Sequence, residues 1–179
     1  MDTRKKYTFE GWLGLGEGVH AELVDGELVM MDQPTILHQA ISGNIFVQIS
    51  NSLKDKSCKV FSGRTGVRLG ADTVFVPDVM VVCDKSKLDN GKVCDGAPDM
   101  IVEVLSPTTA RHDKVVKFTK YLKAGVREYW MVDPDTNTVQ SYVLDNGRYV
   151  MNPYSDEDTA VPVHVAEGCT VNLQEVFHA

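Results

Sequence analysis

Two carboxylates stand inside runs of apolar residues, where a charged side chain is costly. Asp78 is the only charge in residues 74–82, and Glu103 is the only charge in residues 100–105. A buried carboxylate is unfavourable unless it pairs with a cation or binds a metal. If the two runs form neighbouring strands, the carboxylates converge and repel each other, and a divalent cation relieves the repulsion. The alternative is that each acid forms a structural ion pair with a lysine or arginine.

Oxygen ligands of this kind favour magnesium or manganese over softer metals. The four cysteines show no CxxC spacing and the five histidines show no HxxxH or HExxH spacing, so a zinc site is not expected. The charged N-terminus is not followed by the apolar core of a signal peptide. We therefore expect a cytoplasmic protein whose cysteines are reduced thiols.

Basic residues follow the second acid at helical spacing. Lys114 and Lys117 lie near the start of a helix predicted over residues 106–124, which Ser106, Pro107, Thr108 and Thr109 introduce. A lysine beside the end of the Glu103 strand is placed to orient or deprotonate a water molecule. The alternative, a solvated charged face, is the commoner outcome for such a run. Spacing alone does not choose between the two lysines.

The elements that must position these residues follow from periodicity. Apolar residues at steps of four predict a helix over residues 35–54. Residues 73–82 are predicted to be one strand covered on both faces, although Pro77 cannot donate to a ladder. With further strands and hairpins on both sides, the order predicts one α/β (α+β) domain over residues 1–179, built around a central sheet.

The net charge of −7 would by itself argue against a nucleic-acid partner, but the charge is unevenly distributed. Residues 133–179 hold eight acidic residues and one arginine, whereas residues 54–68 hold five basic residues and one acid. Residues 111–127 hold six basic residues and one acid. A local basic patch sets the potential that a phosphate meets, so DNA remains a candidate partner. No apolar run approaches the roughly 18 residues of a membrane helix.

Several blocks of the sequence match a known family. They are AELVDGEL at 21–28, VPD at 76–78, APDMIVEVLSP at 97–107, DKVVK at 113–117 and AGVREYWMVD at 124–133. With these blocks the chain resembles the Uma-type family of restriction endonucleases, in the PD-(D/E)xK nuclease superfamily. The resemblance covers most of residues 7–145. It implies a restriction-endonuclease-like fold, with a central mixed β-sheet flanked by helices.

The resemblance also implies a metal site. Asp78 and Glu103 would bind Mg²⁺ or Mn²⁺, and the backbone carbonyl of Val104 would be a third ligand. Glu22 matches an early acid of the family and would support this metal or a second ion. The resemblance gives Asp78, Glu103 and Glu22 a catalytic role as well as a metal-binding role.

The family's lysine is displaced in this chain. Its usual strand position holds Leu105, and its replacement on the next helix corresponds to Lys117, which selects Lys117 over Lys114 as the catalytic lysine. His38 matches a recurrent family position and is expected to touch the substrate, as is Lys114. A structural role for His38 at the helix end is the alternative.

Together these implications predict a magnesium-dependent endonuclease that hydrolyses DNA phosphodiester bonds. A homodimer would supply the two sites that a double-strand cut needs. Two other functions stay open. The chain could be a non-cleaving binding or regulatory module, because 179 residues leave little room for a target-recognition domain. It could also hydrolyse a smaller phosphodiester.

Overall fold

Two mixed β-sheets carry the fold in the computed structural model, which describes residues 6–16, 18–107 and 111–178. The α-helices of these ranges are α1 (Phe9–Leu13), α2 (Ile36–Ser52), α3 (Phe118–Ala124) and α4 (Leu173–His178), with a 3₁₀ helix at Lys85–Leu88 and a π-helical segment at His112–Lys117. The strands are β1 (Ala21–Val24), β2 (Glu27–Met30), β3 (Lys59–Ser62), β4 (Val67–Arg68), β5 (Val74–Phe75), β6 (Val79–Val82), β7 (Cys94–Asp95), β8 (Met100–Val104), β9 (Glu128–Asp133), β10 (Thr138–Asp145), β11 (Arg148–Ser155), β12 (Val161–Pro162) and β13 (Thr170–Val171).

The strands of the two sheets follow a mixed order, and β12 and β13 pair separately as a two-stranded sheet. The first sheet runs β2-β1-β5-β4-β7, and the second runs β11-β10-β9-β8-β6-β3. Each contains one parallel pair, β4 with β7 and β8 with β9, among antiparallel neighbours. The mixed α/β architecture that the sequence predicts is confirmed, with two large sheets in place of one central sheet.

The strand predicted over residues 73–82 is interrupted at Pro77. Upstream, β5 belongs to the first sheet, and downstream β6 belongs to the second. Proline has no amide hydrogen to donate to a ladder, so pairing stops here and the chain passes from one sheet to the other. Asp78 therefore lies at the crossing rather than within a strand, and its side chain keeps 22% of its exposure.

The long helix predicted over residues 35–54 is confirmed as α2, shortened by a residue or two at each end. The Thr35 side chain caps it by accepting a 3.1 Å hydrogen bond from the amide of His38. Its apolar stripe, which includes Ile41, Ile45 and Ile49, is buried in the core with residues of the second sheet. Removing this apolar surface from water fixes α2 on the sheet and thereby fixes the position of His38.

The helix predicted over residues 106–124 is built differently from expectation. Residues 112–117 form π-helical turns and only residues 118–124 form an α-helix. Gly125 ends it in the left-handed region, at φ 84°. Thr108 and Thr109, which were expected to introduce this helix, lie outside the described residues.

The expectation of four reduced cysteines is wrong for two of them. Cys58 and Cys83 form a disulfide, while Cys94 and Cys169 are buried free thiols. Lys59 pairs with Val82 in the antiparallel β3–β6 ladder. Cys58, just before Lys59, and Cys83, just after Val82, therefore lie opposite each other. This proximity depends on strand register, which cysteine spacing does not reveal. No helix within the described ranges is long and apolar enough to cross a membrane.

Candidate active site

A cleft of about 640 Å³ collects the predicted site residues from separate elements. Its lining includes Glu22 from β1, Asp78 from the crossing before β6, Glu103 from β8 and Lys117 from the π-helical segment. Asp78 and Glu103 are neighbours because β6 pairs with β8 in antiparallel orientation. The three acids thus line one cleft.

Lys117 is the centre of the acidic cluster. Its Nζ lies 2.9 Å from Glu22 Oε1, 3.0 Å from Glu103 Oε1 and 3.2 Å from Asp113 Oδ1. Burial alone would lower the pKa of this lysine, but the surrounding carboxylates raise it well above its usual value. Lys117 is thus held as an ammonium ion at the floor of the cleft.

Glu103 is shared between this ammonium and a phenol. Its Oε1 accepts hydrogen bonds from Lys117 Nζ at 3.0 Å and from the Tyr121 hydroxyl at 2.9 Å. Burial raises the pKa of the Glu103 carboxyl well above its usual value, and the Asp113, Asp78 and Glu22 charges add to the rise against the opposing effect of Lys117. Burial is thus the main cause of the rise, and the neighbouring carboxylates contribute less.

Glu22 supports the lysine from the first sheet. Its Oε1 also accepts a 2.9 Å hydrogen bond from the amide of Val76, and its Oε2 lies 3.6 Å from His112 Nε2. Burial would raise the pKa of Glu22, but Lys117, His112 and the Val76 amide together lower it. In this arrangement Glu22 is an ionised anchor that ties the helical lysine to β1.

Asp78 and His38 form the more open side of the site. Asp78 Oδ2 accepts a 2.7 Å hydrogen bond from the amide of Val104 and lies 3.2 Å from His38 Nε2. Burial would lower the pKa of His38, but the hydrogen bond and charge of Asp78, together with the Val104 carbonyl, raise it. The imidazole therefore lies against two of the oxygen groups that the sequence assigns to a metal.

The donor chemistry of the cleft suits a hard divalent cation. Asp78 and Glu103 supply carboxylate oxygens and Val104 supplies a carbonyl, which are ligands that Mg²⁺ accepts. The cluster sets four carboxylates against one ammonium and one imidazole, so it has a surplus of negative charge. Among the described residues, no three His, Cys, Asp or Glu side chains are grouped as a ready metal cage. The residues fit magnesium in donor type and charge.

Three residues that contact these side chains were not predicted as site residues. His112 and Asp113 line the cleft beside Glu22 and Lys117, and Tyr121 is fully buried and donates to Glu103. Steps of four residues drift by about 40° per step around an α-helix of 3.6 residues per turn, and a wider π turn offsets that drift. The π-helical segment thus keeps Asp113, Lys117 and Tyr121 on one face. Their spacing of four was the available signal in the sequence.

Lys114 does not join this group. It is exposed and is not among the residues that line the cleft. The resemblance selected Lys117 over Lys114. In the structure it is Lys117 that contacts the carboxylates.

Comparisons with known proteins agree with the fold and the blocks described above. A solved chain described as a putative nuclease belonging to DUF820, from Anabaena variabilis ATCC 29413, superposes with a TM-score of 0.78 at 25% identity, covering 96% of this chain and 97% of that chain. Two uncharacterized proteins of Synechocystis sp. are 26% identical over 125 residues and 25% identical over 140 residues. These alignments cover 68% and 76% of this chain, and 71% and 73% of the two relatives.

The family model that matches this chain is Uma2, described as "Putative restriction endonuclease", and it spans residues 7–174. That range includes every residue of the cleft described above. The chain belongs to the Uma2 family.

Proposed function

We propose that this protein is a magnesium-dependent endonuclease that hydrolyses phosphodiester bonds of DNA. The observation that carries the proposal is the convergence of Glu22, Asp78, Glu103 and Lys117 in one cleft, from four separate elements. The family description and the nuclease description of the structural relative support the same reaction class.

In this proposal Asp78, Glu103 and the Val104 carbonyl hold Mg²⁺. The bound ion would lower the pKa of a water molecule and neutralise charge on the phosphate. Glu22 and Asp113 fix the Lys117 side chain so that its ammonium stays at the cleft without further reorganisation. Manganese would serve in place of magnesium because both accept oxygen ligands.

Lys117 has the role of a preorganised cation. Its charge is placed to stabilise the negative charge that develops on the phosphate oxygens, or to orient the attacking water. His38 lies closer to the opening of the cleft and would donate a hydrogen bond to the substrate. Lys114, exposed on the neighbouring surface, would contact a backbone phosphate outside the cleft.

The proposal includes an assembly and a location. A double-strand cut takes two clefts, so the active species would be a homodimer. We retain the cytoplasm as the compartment, although a disulfide such as Cys58–Cys83 is uncommon there.

The test is a cleavage assay on single-stranded, duplex and branched DNA with magnesium, manganese or a chelator. The wild type should cleave with either metal, and the variants Asp78→Asn and Lys117→Met should lose at least about 100-fold in rate. Glu157 is an exposed acid that does not line the cleft, so Glu157→Gln is a matched control that should cleave normally. Intact DNA at high wild-type concentration, or normal cleavage by Asp78→Asn, would refute the proposal.

A second function is favoured by one specific observation. Asp78 and Glu103 each already contact a basic side chain, His38 and Lys117 respectively. A non-cleaving DNA-binding module could keep these contacts for stability alone. Calorimetric titration separates the two functions: Mg²⁺ binding that Asp78→Asn abolishes supports the nuclease, and DNA binding with no Mg²⁺ binding supports the module.

A further inference from the structure

A second cavity of about 300 Å³ adjoins the active-site cleft. Its lining includes Trp12, Met31, Arg64, Gly66, Val76 and Lys92. Met31 and Val76 line both cavities, so the two spaces share a wall. The size is at the lower end of the roughly 300–1,000 Å³ that small-molecule sites occupy.

Trp12 is a fixed, half-buried aromatic wall of this cavity. Its indole Nε1 donates a 2.7 Å hydrogen bond to the carbonyl oxygen of Ala21. At its other edge the ring packs on Gly66, where an added Cβ would lie only 2.9 Å from the ring atom Cη2. The indole is thus held at two edges before any ligand arrives, which reduces the entropy lost on binding.

Two cations stand at the same cavity. Arg64 and Lys92 are both exposed, and neither forms an ion pair within the described parts of the chain. Arg64 also belongs to the basic segment 54–68. The ion pairs described for the acids of the cleft are with Lys117, His38 and His112 instead. An aromatic wall with cations beside it is the combination that binds single-stranded nucleic acid, through base stacking and phosphate contacts.

We propose that this cavity binds one unpaired nucleotide of the DNA strand that the adjoining cleft cleaves. The base would stack on Trp12, and Arg64 and Lys92 would contact the phosphates on either side of it. This inference rests on the proposed function and narrows it to DNA with an unpaired nucleotide beside the cleaved bond. A fully paired duplex would first have to release a base, which weakens its binding.

The two tryptophans allow a direct binding assay. Trp130 is fully buried and donates to Glu128, so a change in fluorescence on ligand binding reports Trp12. The wild-type protein is titrated in a metal chelator with single-stranded octathymidylate and with an abasic strand of equal length. We expect octathymidylate to quench the Trp12 fluorescence saturably. The abasic strand should not quench it and should bind more weakly than octathymidylate.

Variants assign the phosphate contacts. Arg64→Ala and Lys92→Ala should each weaken octathymidylate binding by about threefold or more and reduce the salt dependence, log Kd against log salt, by about 0.7. Trp12→Phe should lose the quenching while fluorescence anisotropy of a labelled strand still detects binding. Lys54→Ala removes an exposed charge of the same basic segment that lines neither cavity, and it should bind like the wild type.

Equal binding of the abasic strand, or unchanged affinity in both Arg64→Ala and Lys92→Ala, would overturn the inference. The outcome is separable from that of the proposed function because the assay contains no metal and measures no cleavage. Metal-dependent cleavage without Trp12 quenching rejects this cavity alone. Quenching by a protein that never cleaves rejects the nuclease and leaves a nucleotide-binding cavity.

Discussion

The ammonium of Lys117 lies 3.0 Å from Glu103 Oε1, and the two side chains keep only 6% and 5% of their exposure. The contact joins the π-helical segment to β8, across the space where the two sheets and the helix meet. Buried ions are stable only with partners, and Lys117 is the shared cation of Glu103, Glu22 and Asp113. The same pair thus connects the stability of the protein to its proposed chemistry.

Replacing this lysine should destabilise the fold as well as abolish cleavage. Lys117→Met leaves three buried carboxylates without their shared cation, and breaking a buried pair in this way costs about 3–5 kcal/mol. Urea denaturation measures the loss. Lys123→Met, on the exposed face of the following helix, should change the free energy of unfolding by less than about 0.5 kcal/mol. Equal stability of Lys117→Met and wild type would show that the pair contributes nothing to folding.

The hydroxyl of Tyr121 should stabilise the fold by about the free energy of one buried hydrogen bond. Tyr121→Phe removes the 2.9 Å donor to Glu103 Oε1 while keeping the ring in the core, so we expect a loss of about 1–2 kcal/mol. Tyr142→Phe is the matched control, because its hydroxyl bonds to Gln140 at the surface. Thermal unfolding of both variants makes the comparison. A larger loss in the control than in Tyr121→Phe would contradict the assignment.

The disulfide should stabilise the edge of the second sheet. Cys58 and Cys83 are 25 residues apart, and closing a loop of that length stabilises by about 3 kcal/mol in the chain-entropy account. We expect a reductant to lower the unfolding midpoint of the wild type and to leave Cys58→Ser/Cys83→Ser unchanged. Thiol titration of the denatured, unreduced wild type should find two reactive groups. Four reactive thiols would show that the disulfide is absent.

Glu128 should give the protein a pH-dependent stability away from the active site. Burial raises the pKa of its carboxyl above the ordinary 4.5, against hydrogen bonds from Trp130, Val165 and His164 that lower it. As the pH rises past the ordinary value, the unfolded chain loses its proton before the folded protein does. Deprotonation therefore favours the unfolded state, and the wild type should lose stability relative to Glu128→Gln until the pH passes the raised pKa.

Denaturation of both proteins at pH 4.5, 5.5 and 6.5 measures this difference. The imidazole of His164 lies 3.4 Å from Glu128 Oε1, so the comparison is repeated in a His164→Gln background to remove its charge. Glu157→Gln, at an exposed acid, should show a difference from wild type that does not vary with pH. A constant or opposite trend for Glu128→Gln would be inconsistent with a raised pKa.

The sequence by itself determined the apolar stripe of one long helix and the two apolar runs that hold isolated acids. Steps of four apolar residues place α2, and the isolated acids in two apolar runs mark Asp78 and Glu103 as special. These features are local, because burial imposes a period on the chain that neighbouring residues display together. Helical spacing did not choose between Lys114 and Lys117, and the family resemblance selected Lys117.

The tertiary structure decided which distant residues meet. The sheet change at Pro77, the register that brings Cys58 to Cys83, and the π turn that aligns Asp113 with Lys117 all depend on pairing between separate segments. The cavity between Trp12 and Arg64 is of the same kind, since α1, β1 and several connecting segments form it. Such contacts arise from the joint packing of many elements, and no periodicity within a single segment records them.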